Sequence, residues 1–174
     1  LIPDKGVFDT LDIWNNISEI NKSDHELLIM GSTMSKETEN HLISIVKKMK
    51  NTELIINPHR KLVLELFSSS KIFIYPSTYF YEQQPSVIIE ALSFHIPVVA
   101  YKWRGINNLI KDTHNGLLSE PRDINTISEN LVKLMNDPIL YESLSSNSFN
   151  EYKKYYSKNS FIENFKSIVK KYYL

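Results

Sequence analysis

The chain has 174 residues, enough for one ordinary domain with a sizeable core that needs neither disulfide nor metal staples. Twenty Lys and Arg balance twenty Asp and Glu, so the basic footprint of a general nucleic-acid binder is excluded and any bound anion must be met locally. Cysteine is absent, which rules out a disulfide framework and thiolate metal sites, and the sequence contains no signal-peptide pattern or apolar run of membrane-spanning length.

Short apolar runs alternate with longer helical patterns, an order that predicts a parallel sheet. Within residues 7–20, Val7, Leu11, Trp14 and Ile17 recur close to helical period, and "ELLIMG" then reads as a strand ending at Gly31. Ser35 opens the next helix, with Glu37 and Glu39 in the first turn where carboxylates favour the helix dipole. The strand "TELIINP" follows. Next come a helix from His59 to Ser69, a strand "KIFIYPS", a helix after Pro85, a strand "IPVVAY" and a short extended piece "NGLLSE". These strands are apolar throughout rather than alternating, as expected when helices cover both faces. From about Asp123 the pattern is helical only; Asp137 and Pro138 separate the first two segments, and Ser160 is read as the cap of the last. The expected architecture is one α/β domain over 1–174, a doubly wound, mostly parallel, Rossmann-like sheet with 124–174 as a helical tail. Such folds bind ligands at the carboxyl ends of their strands. Neither a GxGxxG nor a Walker pattern is present.

Glu82 and Glu90 flank Pro85 ahead of an apolar helix. In one continuous helix eight positions would leave them about 80° apart and roughly 12 Å along the axis, so they are not a helical pair. Pro85 suits a first helical position, which puts Glu82 in the strand-to-helix loop and Glu90 inside the helix. On the helical wheel Glu90 shares a stripe with Ser86 and Ser93, while Val87, Ile88, Ala91 and Leu92 form the apolar face. From the residues alone the pair could be an acid/base couple, two acceptors for a polyol, part of a metal site, or solvated surface. The loop lies at the binding edge of this architecture, and the helix directs unpaired N–H groups into the same space, a setting that suits a phosphorylated sugar or nucleotide.

"PSTYFYEQQPSVIIEALSFHIPVVAY" followed by "GINNLIKDTHNGLL" resembles the signature of the group 1 family of retaining GT-B glycosyltransferases, whose motif is a Glu, seven intervening residues and a second Glu. "LIPDKG" resembles the segment that opens the donor-binding half of those enzymes. The likeness spans nearly the whole chain and corresponds to the carboxy-terminal half. It implies a transferase that moves a sugar from a nucleoside-diphosphate sugar to a glycan or lipid-linked acceptor, as in polysaccharide biosynthesis. The nucleotide-sugar is a substrate; no cofactor, no metal and no nucleic-acid partner is implied. Glu90 matches the acid that hydrogen-bonds the ribose hydroxyls, Glu82 the one near the transferred sugar, and Lys5 the cation that neutralises the diphosphate. The turn Gln83, Gln84, Pro85 and Ser86, with Val87 at its edge, would offer backbone N–H groups to sugar and diphosphate. Asn57 and Pro58, with His59, match the region flanking the base. The resemblance implies a cytoplasmic enzyme, compatible with peripheral contact at the inner membrane face, and leaves base, sugar, acceptor and oligomeric state open.

Departures from the family pattern add expectations. The arginine that usually ends a first strand upstream of "LIPDKG" is not in the chain, so the amino-terminal acceptor domain and the first strand are expected to lie outside it. The usual glycine-containing turn reads Gln83-Gln84-Pro85-Ser86, which weakens the case for close backbone approach to the sugar. A Gly-Gly turn with a following acid is replaced by Trp103-Arg104-Gly105-Ile106-Asn107-Asn108, with Arg104 a candidate for the diphosphate and Trp103 either core or a wall of the acceptor entrance. The last helix carries Phe161, Ile162, Phe165, Ile168, Val169 and Tyr172 on one side, expected either to pack on this domain or to cross to a partner domain. Two other classes stand beside this reading: a GT-B-like sugar-nucleotide epimerase and a non-catalytic doubly wound binding module.

Overall fold

A computed structural model describes residues 1–173. A 3-10 turn, Pro3–Lys5, leads into α1 (Val7–Asn16) and the short α2 (Glu19–Lys22); then come β1 (Leu27–Gly31), α3 (Lys36–Val46), β2 (Thr52–Ile56), α4 (Arg60–Ser69) and β3 (Phe73–Tyr75). The chain continues through α5 (Ser86–Ser93), β4 (Val98–Tyr101), α6 (Ile106–Leu109), β5 (Gly116–Ser119), α7 (Ile124–Asn136) and α8 (Pro138–Glu151). A π-helical turn at Tyr152–Tyr156 precedes α9 (Lys158–Tyr173). Every strand pair is parallel, with β1 on β2 and β4 between β3 and β5. The doubly wound, Rossmann-like α/β architecture with a helical tail is therefore as the sequence predicts.

β4 explains why its sequence does not alternate. Val99 and Tyr101 face a core built with α1, α3, α7 and α8, whereas Val98 and Ala100 face a second core with α4, α5 and α6. All four residues are fully buried, so both faces of this strand demand apolar side chains. Capping follows local chemistry: the Ser35, Asp123 and Asp137 side chains accept from the backbone N–H groups of Thr38, Thr126 and Leu140.

Four local expectations are corrected. The first helical run breaks at Asn16 and resumes as α2, because Ile17 and Ser18 are extended. "KIFIYPS" yields only the three residues of β3; beyond Tyr75 the backbone turns to the opening segment, where Thr78 N–H donates to the Asp4 carbonyl. α6 forms where a turn was expected. Ser160 does not cap α9; the extended Ser157 accepts from the Ser160 N–H at 3.2 Å, while the Ser160 hydroxyl donates to the Lys154 carbonyl at 2.6 Å.

The tail divides in two. Leu144 on α8 is fully buried in the core shared with β4, whereas Phe161, Phe165, Ile168 and Tyr172 on α9 are 55–67% exposed, so the apolar side of α9 does not pack on this domain. Two substitutions separate these roles. Leu144→Ala is expected to lower unfolding free energy by about 2–5 kcal/mol, and Phe165→Ala to change it by no more than about 0.5 kcal/mol, as read from urea denaturation.

Candidate functional site

The carboxyl ends of β1 and β3 are bridged by the first six residues. Leu1 lies against Ser32 and Gly31 just beyond β1, while the Asp4 carbonyl accepts from Thr78 N–H at 2.9 Å beyond β3. Gly6 adopts φ 83°, and a Cβ there would overlap the Pro76 carbonyl. A side chain is therefore excluded twice, by conformation and by space. This close approach sets the preceding residue, Lys5, over the start of the β3–α5 loop.

Lys5 meets Glu82 there. Glu82 is only 4% exposed, and its Oε2 accepts from three donors: Lys5 Nζ at 2.8 Å, Tyr75 hydroxyl at 2.8 Å and Ser77 hydroxyl at 2.9 Å. A carboxylate removed from water needs such partners, since its desolvation is otherwise uncompensated. The exposed-surface alternative for Glu82 is thereby overturned. Burial, reinforced by the adjacent Glu82 carboxylate, pushes the Tyr75 hydroxyl well above the ordinary tyrosine value of 10.0. The Lys5 side chain keeps 32% of its exposure and lies 4.5 Å from the Tyr79 ring centroid, so its ammonium faces both Glu82 and the open edge.

The loop after Glu82 carries Gln83 and Gln84 exposed, Pro85 buried, Ser86 exposed and Val87 half-buried against the second core. Pro85 sits one position earlier than expected. It is the N-cap of α5 rather than its first helical residue, with φ −62° and ψ 109°, and its carbonyl accepts from Ile88 N–H at 3.1 Å. The shift follows from that extended ψ, which the helix does not share. The first-turn N–H groups of α5 consequently face the loop at the carboxyl edge.

The glycine absent from this turn has a counterpart in the 103–105 turn that packs on it. A Cβ on Gly105 would overlap the Gln83 carbonyl, and Gly105 N–H donates to the Glu82 carbonyl at 3.3 Å. Trp103 is half-buried against both cores and donates its indole N–H to the Tyr79 carbonyl at 2.9 Å. Arg104, with φ 42°, stacks its guanidinium 4.1 Å from the Phe80 ring centroid. The loop carrying Glu82 is thus clamped from the 103–105 side.

Glu90 projects from the middle of α5 and pairs with Arg60 Nη1 at 2.9 Å. Arg60 opens α4, directly after the turn in which Asn57 is exposed with φ 52°, Pro58 is half-buried and His59 caps the helix through Nδ1. The pairing brings the 57–60 turn to Glu90. It also raises the Arg60 pKa, through the hydrogen bond and charge of that carboxylate.

Lys5 and Glu82 therefore come together, as do Glu90 and the Asn57-Pro58 turn. Sequence reasoning missed Tyr75, Ser77 and Arg60. The first two had a signal: positions i and i+2 of an extended segment point to one side, so both hydroxyls fall on the same face. Arg60 had none, because its partner lies 30 residues away. Among the described residues no three His, Asp or Glu side chains are grouped so as to hold a metal, and no helix is long and apolar enough to cross a membrane.

Comparison with known proteins gives these features a setting. The family model described as "Glycosyl transferases group 1" matches residues 1–151. An uncharacterized glycosyltransferase of Haemophilus influenzae is 30% identical over 145 residues, covering 83% of this chain and 40% of that protein. The Anabaena protein HepE, solved in complex with UDP-glucose, superimposes with a TM-score of 0.79 at 18% identity over 96% of this chain and 46% of its own. The carboxy-terminal domain of a group 1 glycosyl transferase from Francisella tularensis aligns with a TM-score of 0.74 at 18% identity, over 91% of this chain and 83% of that domain. The chain thus spans about two fifths of the length of the curated relatives that it matches over most of its own length.

Two measurements test the site. Tyr75 favours its protonated form when folded, so its contribution is intact below about pH 10 and declines as pH rises further, toward its raised folded value. Tyr75→Phe is expected to flatten the loss of stability above about pH 10 relative to the parent, in urea melts across that range. Gly105→Ala is expected to destabilise by about 1–3 kcal/mol through the overlap with Gln83, and to shift the backbone chemical shifts of residues 82–84.

Proposed function

This chain belongs to the group 1 glycosyl transferases, and on that premise we propose that it is the donor-binding half of a retaining glycosyltransferase. The donor is a nucleoside-diphosphate sugar, and the acceptor, a glycan or lipid-linked glycan, is presented by an amino-terminal domain. The observation that carries this reading is the buried Glu82 carboxylate, tied to a half-exposed Lys5 at the mouth of the β3–α5 loop.

The chemistry follows from the donor inventory. An ammonium has three N–H groups, and Lys5 commits one to Glu82, leaving two for diphosphate oxygens. The first-turn N–H groups of α5 add partial positive charge in the same region. As the bond from the anomeric carbon to the diphosphate breaks, negative charge grows on the departing oxygen. Groups that hold this charge more tightly at the transition state than in the bound donor lower the barrier. The departing diphosphate then takes the proton of the incoming hydroxyl on the same face of the sugar, so configuration is retained without a protein nucleophile. Glu82, fixed through Oε2, orients the transferred sugar with its remaining oxygen. Glu90 accepts from the ribose hydroxyls, with Arg60 holding its other oxygen. Gln83, Gln84, Ser86 and Val87 supply loop backbone to the sugar and diphosphate, and Asn57 and Pro58 border the base.

Calorimetric titration of the chain with uridine diphosphate and guanosine diphosphate tests this assignment. Weak binding of at least one is expected, reduced about tenfold or more by Lys5→Ala, since a charge-assisted contact to phosphate is lost. Glu90→Gln is expected to weaken the nucleoside diphosphate but not inorganic diphosphate. The isolated chain is expected to transfer no sugar. Absence of binding to either nucleotide, or sustained transfer by the chain alone, overturns the reading.

A further inference from the structure

Three consecutive aromatic residues, Tyr79, Phe80 and Tyr81, lie in the β3–α5 loop just ahead of the buried Glu82, and two of them stand in solvent. Phe80 is 60% and Tyr81 70% exposed. The backbone beneath them is nevertheless fixed. The Tyr79 carbonyl accepts from the Glu82 N–H at 3.1 Å and from the Trp103 indole at 2.9 Å, while Gly105 packs directly on the backbone of Gln83. Contiguous rings held in water by a rigid loop are a surface made to be covered by a ligand, which then has little ordering cost to meet.

The rings form a corner. Tyr81 meets Phe80 at an interplanar angle of 86° with centroids 5.1 Å apart, and meets Tyr79 at 65° and 5.9 Å. The Arg104 guanidinium lies 4.1 Å from the Phe80 centroid and 5.5 Å from that of Trp103. Arg104 reaches this place from a left-handed backbone, φ 42°, which an arginine rarely adopts, and the two ring contacts offset that strain. Among the described residues no carboxylate pairs with Arg104 and its side chain makes no hydrogen bond. An exposed, stacked guanidinium therefore keeps its N–H donors for another partner.

This corner adjoins the candidate diphosphate site. Tyr79 belongs to both, with its ring centroid 4.5 Å from Lys5 Nζ and 5.9 Å from that of Tyr81. In order of contact Lys5 is followed by Tyr79, Tyr81, Phe80 and Arg104, so three rings stand between the two cations. Lys5 is committed to Glu82, and Arg104 has no part in that network. The nucleoside end of the donor is assigned elsewhere, to Glu90 and the 57–60 turn. Retention of configuration brings the incoming hydroxyl to the face of the sugar that the diphosphate leaves, hence beside Lys5. Groups next to Lys5 that the donor does not engage are then placed to meet the acceptor.

We propose that Tyr79, Phe80, Tyr81 and Arg104 form an acceptor subsite for an acidic saccharide. The apolar C–H face of a pyranose ring rests on the exposed Phe80 and Tyr81 rings, and an oxyanion carried by that sugar, carboxylate or phosphate, is bound by Arg104. The negative face of an aromatic ring suits the weakly positive C–H groups of a sugar. A guanidinium can stack on rings and still present a planar fork to two oxygens of one acid, which an ammonium cannot do. With a formal net charge of zero the chain exerts no general pull on anions, so specificity for an acid has to come from such a local cation. The acceptor role rests on the glycosyltransferase reading; the binding site itself rests on the geometry of the rings and Arg104.

Amide shift titrations by nuclear magnetic resonance on the 174-residue chain test the subsite, with glucuronic acid, glucose 6-phosphate and glucose as probes. The two acidic sugars are expected to move the amide signals of Tyr79, Phe80, Tyr81 and Arg104 and to bind about tenfold or more tightly than glucose. The tighter of the two identifies the acid as carboxylate or phosphate. Arg104→Gln is expected to bring both acidic sugars to the affinity of glucose, and Tyr81→Ala to weaken all three probes; both positions are exposed, so the urea midpoints stay at the parent value. Absence of these shifts, equal affinity for glucose and the acids, or acid binding that survives Arg104→Gln overturns the proposal. So does a loss of nucleoside diphosphate affinity in Arg104→Gln, which assigns the guanidinium to the donor. Uridine and guanosine diphosphate titrations of the parent chain read the donor assignment separately. Acidic-sugar binding without nucleotide binding upholds the subsite and sinks the donor reading, and nucleotide binding without acidic-sugar binding does the reverse.

Discussion

A carboxylate enclosed by protein must keep partners that replace water, and Glu82 meets that demand by drawing three donors to one oxygen, one of them from the far end of the sequence. Lys5 comes from the segment that bridges the sheet edge, Tyr75 from the end of β3, and Ser77 from the loop that follows. The charge of Lys5 and the dipoles of two hydroxyls offset a desolvation cost that none would offset alone. Removing any one leaves the others holding a buried anion, so the opening segment and the end of β3 are fixed relative to each other. The candidate donor cleft takes its shape from this requirement.

Close backbone contact completes the arrangement. Gly6 lets the bridging segment lie directly on Pro76, and Gly105 lets the 103–105 turn lie directly on Gln83. Neither position tolerates a Cβ without moving backbone, which is the costlier kind of overlap. Trp103 and Arg104 then cover the outer side of the same loop through Tyr79 and Phe80. The β3–α5 loop is held from beneath by an ion pair and from the side by steric fit, a combination suited to presenting fixed N–H groups and carboxylates to a flexible, highly charged ligand.

The same edge is also where the sheet lacks continuity. Residues 1–6 span the gap between the two-stranded and the three-stranded sheet, and the ion pair of Lys5 with Glu82 anchors one end of that span.

Much of this was legible in the amino-acid sequence. The apolar run Val98–Tyr101 specified a strand buried on both faces, Ser35 and Asp137 marked helix starts, and Pro85 put Glu82 in the strand-to-helix loop and Glu90 inside the helix, because each depends on local stereochemistry or periodicity. Helix α6, the break at Ile17 and the cap at Ser157 escaped, since short segments follow tertiary context more than propensity. The partners of the two glutamates escaped for a stronger reason: Lys5 lies 77 residues from Glu82 and Arg60 lies 30 from Glu90. Sequence therefore determined the order of elements and which residues fall in the loop between β3 and α5, through interactions between near neighbours. Only folding decided which carboxylate is buried, which cation neutralises it, which glycine makes room for the loop, and where the sheet stands open, because those depend on contacts between segments that pattern alone does not pair.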